Sequence, residues 1–217
     1  MSHIHIAIDG PAGAGKSTVA KVIAQKLNIT YIDTGAMYRA LTLKIIQSKV
    51  KFEDIDRIIE VCKGTSIELD NNRVILDDVD VTEKIREPIV NSNVSLIAKV
   101  PEVRKILVEI QRQTAQGKSV VMDGRDIGTY VLPNAPYKFY LTAAISERAQ
   151  RRYLELKNKG FNIGLKEIED EIAQRDKIDQ ERSISPLKPA QDAIIINTTS
   201  KTIKQVVEEI IDFIYRG

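Results

Sequence analysis

Hydrophobic residues along the chain alternate between short unbroken runs and longer stretches in which they recur at the spacing of a helix face. Ile4 to Ile8 reads as a strand, followed after a glycine-rich link by a periodic helix through Leu27. Ile29 to Asp33 is a second strand. Ala36, Ala40, Leu41 and Leu43 then begin another helix, and Phe52 to Lys63 continues the helical spacing. The texture changes at Ser66 to Asp70, Arg73 to Leu76 and Val79 to Val81, three short β-like runs separated by Asn71-Asn72 and Asp77-Asp78. They predict a meander over 64–82, continued by short helical pieces to about Lys99 in which Ser92, Asn93 and Ser95 read as caps and turns. Pro101 to Gln116 is a long helix, with proline near its start and Gly117 just past its end. Three more strands follow at Ser119 to Met122, Tyr137 to Thr142 and Ala193 to Asn197. Between and after them lie a helix capped by Ser146, a second from Lys166 to about Glu181, and a terminal one over Thr202 to Tyr215. This alternation argues for a parallel sheet with helices on both faces.

The 217 residues, 43% hydrophobic and 29% charged, suffice for one full core with an insert. Net charge is +2, from 32 basic and 30 acidic residues, and no long basic run marks a nucleic-acid track. A lone cysteine, Cys62, leaves no internal disulfide and reads as a buried small hydrophobe. His3 and His5 share a strand face, but no third metal ligand is near in sequence. The N-terminus enters the first strand without a signal pattern, and no run approaches the length of a membrane span. A soluble, cytoplasmic protein is expected, without membrane or nucleic-acid partners.

The link after the first strand is Gly10, Pro11, Ala12, Gly13, Ala14, Gly15, Lys16, Ser17 and Thr18, which fits G-x-x-x-x-G-K-[ST] in the strand-to-helix context the pattern requires. Glycines let the backbone curl until several N–H groups aim at one phosphate, and the following helix adds the positive end of its dipole. Lys16 supplies a point charge, and the Ser17 hydroxyl is placed to ligate Mg²⁺. A nucleoside triphosphate site follows from these residues.

Asp33 to Leu41 offers a second anion site. Gly35 is expected to loosen a turn, and Tyr38 and Arg39 come early on the next helix. Asp123, Arg125 and Asp126 close the strand after the long helix, at the C-terminal edge where open α/β sheets place ligands, with Asp123 at a Walker-B-like position. The two late helices carry Arg148, Arg151, Arg152, Arg175 and Arg182 and are joined by a loop with two glycines, Gly160 and Gly164. They read as a hinged lid, in which Arg148 and Arg152 share one face and Arg175, Asp179 and Arg182 another. No Ser-His-Asp or Cys-His set accompanies these arginines, which suits phosphoryl transfer by positioning and charge.

Gly10 to Thr18, Asp33 to Ala40, Asp123 to Thr129 and Arg175 to Ala193, in this order, resemble the bacterial cytidylate kinases, nucleoside monophosphate kinases of the P-loop class. The resemblance covers essentially the whole chain. It implies a three-layer α/β/α P-loop NTPase fold with a central parallel sheet. To this it adds a small three-stranded β insert within an NMP-binding region at about 34–99, and a helical lid at about 146–182. It implies transfer of the γ-phosphoryl group of ATP to CMP or dCMP, with Mg²⁺, by a monomer. By position, Gly10 to Thr18 would hold ATP. Thr34, Tyr38, Arg39 and Arg125 would surround the CMP phosphate, with Asp123 counted among the CMP-site residues. Ser95, Arg104 and Asp126 would meet the cytosine, and Arg175 and Asp179 the sugar. Lys16, Arg125 and Arg182, with the lid arginines Arg148 and Arg152, would act on the transferring group. A kinase for another small acceptor (UMP, AMP or shikimate) and a non-catalytic nucleotide-binding module are the alternatives. A GTPase would need an N-K-x-D motif, which does not occur.

Overall fold

The computed structural model describes residues 3–70 and 73–216. In chain order its elements are β1 (His5–Asp9), α1 (Lys16–Leu27), β2 (Thr30–Asp33), α2 (Thr34–Gln47), α3 (Ile55–Lys63), β3 (Ile67–Asp70), β4 (Arg73–Leu76), β5 (Val79–Asp80), α4 (Pro88–Ala98), α5 (Pro101–Ala115), β6 (Val120–Gly124), β7 (Tyr137–Thr142), α6 (Ile145–Asn158), α7 (Leu165–Gln180), β8 (Ile194–Asn197) and α8 (Ile203–Arg216). By internal contacts the chain divides into two compact units, one made of the residues up to Tyr31 and from Gly117 onward, the other of Ile32–Gln116.

The larger sheet has five strands in the order β2-β6-β1-β7-β8, and all of it but the last two residues of β2 belongs to the first unit. β1 pairs in parallel with β6 and β7, and β7 with β8. Strand β1 is central and apolar in its middle, with Ile6, Ala7 and Ile8 fully buried, as a strand covered on both faces must be. One core joins it to Val19 and Ile23 of α1, Phe139 and Leu141 of β7, and Val207 and Ile210 of α8. The register sets Ile8 beside Asp123 and Asp9 beside Gly124, so the ends of β1 and β6 lie side by side where the strand order switches. Helices α6 and α7 form a hairpin with its own small core of Ala149, Leu156, Ile168 and Ile172.

The second unit has a separate core in which Met37, Leu41 and Ile45 of α2 meet Ile58, Ile97, Val103 and Leu107. Its three-stranded antiparallel sheet, β3-β4-β5, is the expected meander. Asp77 and Asp78 take φ of 47° and 65°, the left-handed pair a tight hairpin needs, whereas the expected turn at Asn71-Asn72 lies outside the described residues.

Four local expectations are corrected. Gly35 loosens no turn: it lies inside the first turn of α2, capped by Asp33, whose carboxylate accepts from the Ala36 N–H at 2.9 Å. Ser92, Asn93 and Ser95 are interior to α4, because Pro88 opens that helix at its first position and the polar residues fall within its body. Ser146 is not the cap of α6; the helix starts one residue earlier and Ala144 precedes it. Helix α7 ends at Gln180, so Arg182 lies beyond it rather than on the helix face with Arg175 and Asp179.

Candidate active site

The link from β1 to α1 has the geometry its glycines imply. Gly10 sits at φ 144°, and a Cβ there would come within 2.0 Å of the Leu141 carbonyl oxygen on β7. Gly13, at φ 75°, lies so close to α6 that a Cβ would meet the Arg148 Cβ at 2.9 Å. Helix α1 then begins without a side-chain cap and with no acidic residue in its first turn. A helix start left in this way keeps its N–H groups and dipole for an anion.

Lys16 is buried beneath this loop, and its Nζ donates to the Pro11 carbonyl at 2.7 Å. Burial, and after it the positive charges of Arg125 and Arg175, hold the Lys16 ammonium well below the usual lysine range, against the opposing pull of Asp123 and Asp9. Burial is the largest of these effects, so an anion brought beside Lys16 would favour its charged form. Ser17 Oγ donates to Asp123 Oδ2 at 2.8 Å, and the Tyr31 hydroxyl donates to Asp123 Oδ1 at 2.7 Å. A hydroxyl and a carboxylate side by side are hard oxygen donors of the kind Mg²⁺ takes, so the donor set fits that ion.

From the end of β6, Arg125 Nε donates to Asp179 Oδ2 at 2.9 Å, which ties the strand edge to α7. Burial works against the Asp179 charge, but Arg125, Arg175 and Arg182 outweigh it and hold the carboxyl below the ordinary range. Arg182 Nε donates to the Asp179 carbonyl at 3.1 Å. Arg125, Arg175, Asp179 and Arg182 thus form one charged group around the buried Asp179, although Arg182 has left the helix.

The remaining hairpin arginines are placed differently. Arg148 donates to the Ala143 and Ala12 carbonyls, both at 3.0 Å, and to Asp176 Oδ2 at 2.6 Å. Asp176 Oδ1 accepts from the Ala12 N–H at 3.4 Å. The Arg148–Asp176 pair thereby grips both the N–H and the C=O of one loop residue. Arg151 donates to the Thr198 carbonyl at 2.7 Å, and the Thr198 hydroxyl donates to the Ala14 carbonyl at 3.2 Å. Arg152, which shares its helix with Arg148, pairs with Glu155 at 2.8 Å near the surface.

In the second unit, Arg39 Nη2 donates to Asp33 Oδ2 at 2.9 Å, with Arg86 at 3.9 Å from the same oxygen. Burial opposes the Asp33 charge, and these two arginines still hold its carboxyl below the usual range. A Cβ on Gly35 would lie 2.9 Å from Arg39 Nη1, so the glycine makes room for the guanidinium. Thr34 and Tyr38 are buried on the same helix. Arg104, 1% exposed, stacks its guanidinium 5.5 Å from the Tyr38 ring centre and donates to the Ala98 carbonyl at 3.2 Å. Ser95 is buried on α4.

The family model described as cytidylate kinase matches residues 6–216. The chain belongs to the cytidylate kinase family. A protein of Caldanaerobacter subterraneus named cytidylate kinase is 56% identical over 214 residues, spanning 99% of this chain and 96% of that one. One of Alkaliphilus oremlandii, with the same name, is 54% identical and spans 99% of both. Among solved structures, shikimate kinase from Bacteroides thetaiotaomicron superposes with a TM-score of 0.51 at 15% identity over 99% of each chain, a likeness of fold alone. The family is a phosphotransferase family, and the P-loop class read from the first strand and helix is its class. Asp9 and Asp176 are among the polar residues of this site that sequence reasoning passed over, with Tyr31, Arg86 and Thr198. Asp9 carried the signal already used at Asp123, a carboxylate at a strand end. Asp176 lay among many charges on α7 with nothing to rank it.

Proposed function

We propose that this member of the cytidylate kinase family transfers the γ-phosphoryl group of ATP to CMP or dCMP, giving ADP and CDP or dCDP. The observation that carries the reading is the unspent start of α1, with Lys16 and the Ser17–Asp123 pair beside it and Arg125 at the end of the adjacent strand, paired with Asp179. A phosphate group beside Lys16 would restore the charged ammonium that burial disfavours.

One oxygen of the CMP phosphate forms a bond to the γ-phosphorus as the bond from that phosphorus to the β–γ bridging oxygen breaks, and ADP departs. The attacking phosphate is mostly dianionic at pH 7, its second pKa being near 6, so the chain needs no general base. Its work is to bring two anions into line and offset their repulsion. Lys16 and the backbone of Gly10 to Thr18 serve ATP. Ser17 and Asp123 would hold Mg²⁺ directly or through water, and the ion supplies charge neutralisation on the β- and γ-phosphates. Thr34, Tyr38, Arg39 and Arg125 are assigned to the CMP phosphate. In support, Arg39 Nε is buried with no hydrogen-bond partner among the described residues. Arg175 and Asp179 are assigned to the sugar. Arg182, with Arg152, is assigned to the transferring group; Arg148, expected there too, is held by Asp176 and Ala12 and is assigned instead to shaping the phosphate loop. The enzyme is taken to act as a cytoplasmic monomer.

Cytosine offers an amino donor beside two acceptors, so one carboxylate and one or two donors can read it; Asp126, Arg104 and Ser95 are that set. Uracil would present a carbonyl to Asp126, a mispairing that costs about 1–3 kcal/mol. A coupled assay of ADP release, offering CMP, dCMP, UMP, AMP and shikimate in parallel, should show fast turnover with CMP and dCMP. UMP should trail by about tenfold to a few hundredfold. Preference for another acceptor would overturn the cytosine assignment, and no turnover with any would leave a nucleotide-binding module. Asp126→Ala should abolish most of the preference for CMP over UMP; an unchanged ratio refutes the role of Asp126.

A further inference from the structure

Asp9 ends β1 immediately before Gly10 and is 4% exposed. Its neighbours in the sheet register are Gly124 on β6 and Tyr140 on β7. A carboxylate in the central strand needs donors to be tolerated there. They come from the segment after β6: Asp9 Oδ1 accepts from the Ile127 N–H at 2.7 Å and Oδ2 from the Gly128 N–H at 2.8 Å. These are the first N–H groups of a wide turn over Ile127–Val131, which no neighbouring side chain caps.

The same peptide unit is held from its other end. The Asp126 carbonyl accepts from the Tyr130 N–H at 2.8 Å and the Val131 N–H at 3.1 Å. The plane joining Asp126 to Ile127 is therefore pinned twice, its carbonyl by the turn and its N–H by Asp9. Because the peptide is planar, pinning it sets ψ of Asp126, observed at 26°, and with it the direction in which the Asp126 side chain leaves the backbone. Asparagine would be the less costly residue to bury, since burial pushes the Asp9 carboxyl up to about 7 against both N–H bonds, with Asp126 adding to the rise and Lys16 opposing it. An amide, however, offers a single acceptor oxygen to two donors. Aspartate gives each N–H an oxygen of its own, where an amide would have to serve both from one.

We propose that Asp9 is a specificity-positioning residue, which ties the strand that delivers the phosphate loop to the Arg125-Asp126 turn and thereby aims the carboxylate that selects the acceptor base. This rests on the reading of Asp126 given above, and the experiment separates the two. Asp9→Asn and Asp9→Ser are assayed with CMP and UMP at saturating ATP and with varied ATP at saturating CMP, and their thermal midpoints are recorded. The expected result is a rise of about tenfold in KM for CMP and a similar loss of CMP-over-UMP preference, with KM for ATP within about threefold of the parent. The serine variant, with room for a water at each N–H, carries the test if the asparagine one does not fold. A lowered midpoint with slower turnover of both acceptors and an unchanged CMP-to-UMP ratio would make Asp9 merely structural and overturn the proposal. Asp126→Ala measured alongside tells the failures apart. If it destroys the preference while the Asp9 variants keep it, only the role of Asp9 falls. If it keeps the preference, the reading of Asp126 falls first.

Discussion

Replacement of Lys16 by methionine is expected to lower kcat by about a thousandfold, the scale of losing one preorganised charge from a phosphoryl-transfer site, while the thermal midpoint at pH 7 stays level or rises. The two halves of this expectation come from one observation. Lys16 is buried near Arg125 and Arg175, and its folded pKa lies well below that of an unfolded lysine. A cation whose folded pKa is depressed costs stability at every pH below that folded value, and the cost fades as pH rises toward the unfolded value of 10.5. Methionine keeps much of the stem and removes the charge, so the folded state loses that cost together with one hydrogen bond to Pro11. Differential scanning fluorimetry at pH 7 and at pH 10 provides the check: the gain over the parent should shrink at the higher pH. A clear loss of stability at pH 7 would mean that the Pro11 bond outweighs the buried charge. ATP with Mg²⁺ should raise the parent's midpoint and raise the variant's less, because binding to the native state alone stabilises by mass action.

Which parts of this site are legible in the sequence depends on where along the chain each signal lies. Signals carried by neighbours along the chain transferred well. The glycine spacing from Gly10 to Gly15 dictates a loop, and the apolar run before Asp123 dictates a strand that presents it. Asp77-Asp78 between two β-like runs dictates a left-handed turn, found at φ 47° and 65°. Cys62, read as a buried hydrophobe from its helical spacing, is 4% exposed, and burial pushes its thiol up to about 11. What failed depends on side-chain partners that spacing and propensity do not reveal. Gly35 looked like a turn because nothing local shows that a guanidinium four residues later needs its missing Cβ. Ser146 looked like a cap, yet the helix begins at Ile145, with the preceding Ala144 N–H bound to Thr199 Oγ1 at 3.1 Å. The hairpin arginines were alike as letters. Only their partners separate Arg152 on a surface pair from Arg148 at the loop.

That separation carries the second large prediction. Arg148→Met should lower the thermal midpoint by about 10 °C, since it leaves Asp176 buried without its guanidinium. Breaking one side of such a pair costs about 3–5 kcal/mol, and in a chain of this size each kcal/mol moves the midpoint by about 2–4 °C. Asp176→Leu should be comparably harmful, because it strands Arg148. The double variant, apolar on both sides, should recover most of the stability, because an ion pair inside a protein repays little more than its own desolvation. It should not recover nucleotide binding. Ala12 would have lost the acceptor for its N–H and one donor to its carbonyl, and the loop between Gly10 and Gly13 would no longer be held in one shape before ATP arrives. A rise of about tenfold in KM for ATP, with kcat reduced much less, is the signature of lost preorganisation. Steady-state kinetics on the stable double variant settle the role of Arg148. A wild-type KM for ATP would reduce the pair to scaffolding. A fall in kcat of a hundredfold or more at unchanged KM would instead place the Arg148 guanidinium on the transferring phosphoryl group, so that the contacts with Asp176 and Ala12 must open during each turnover.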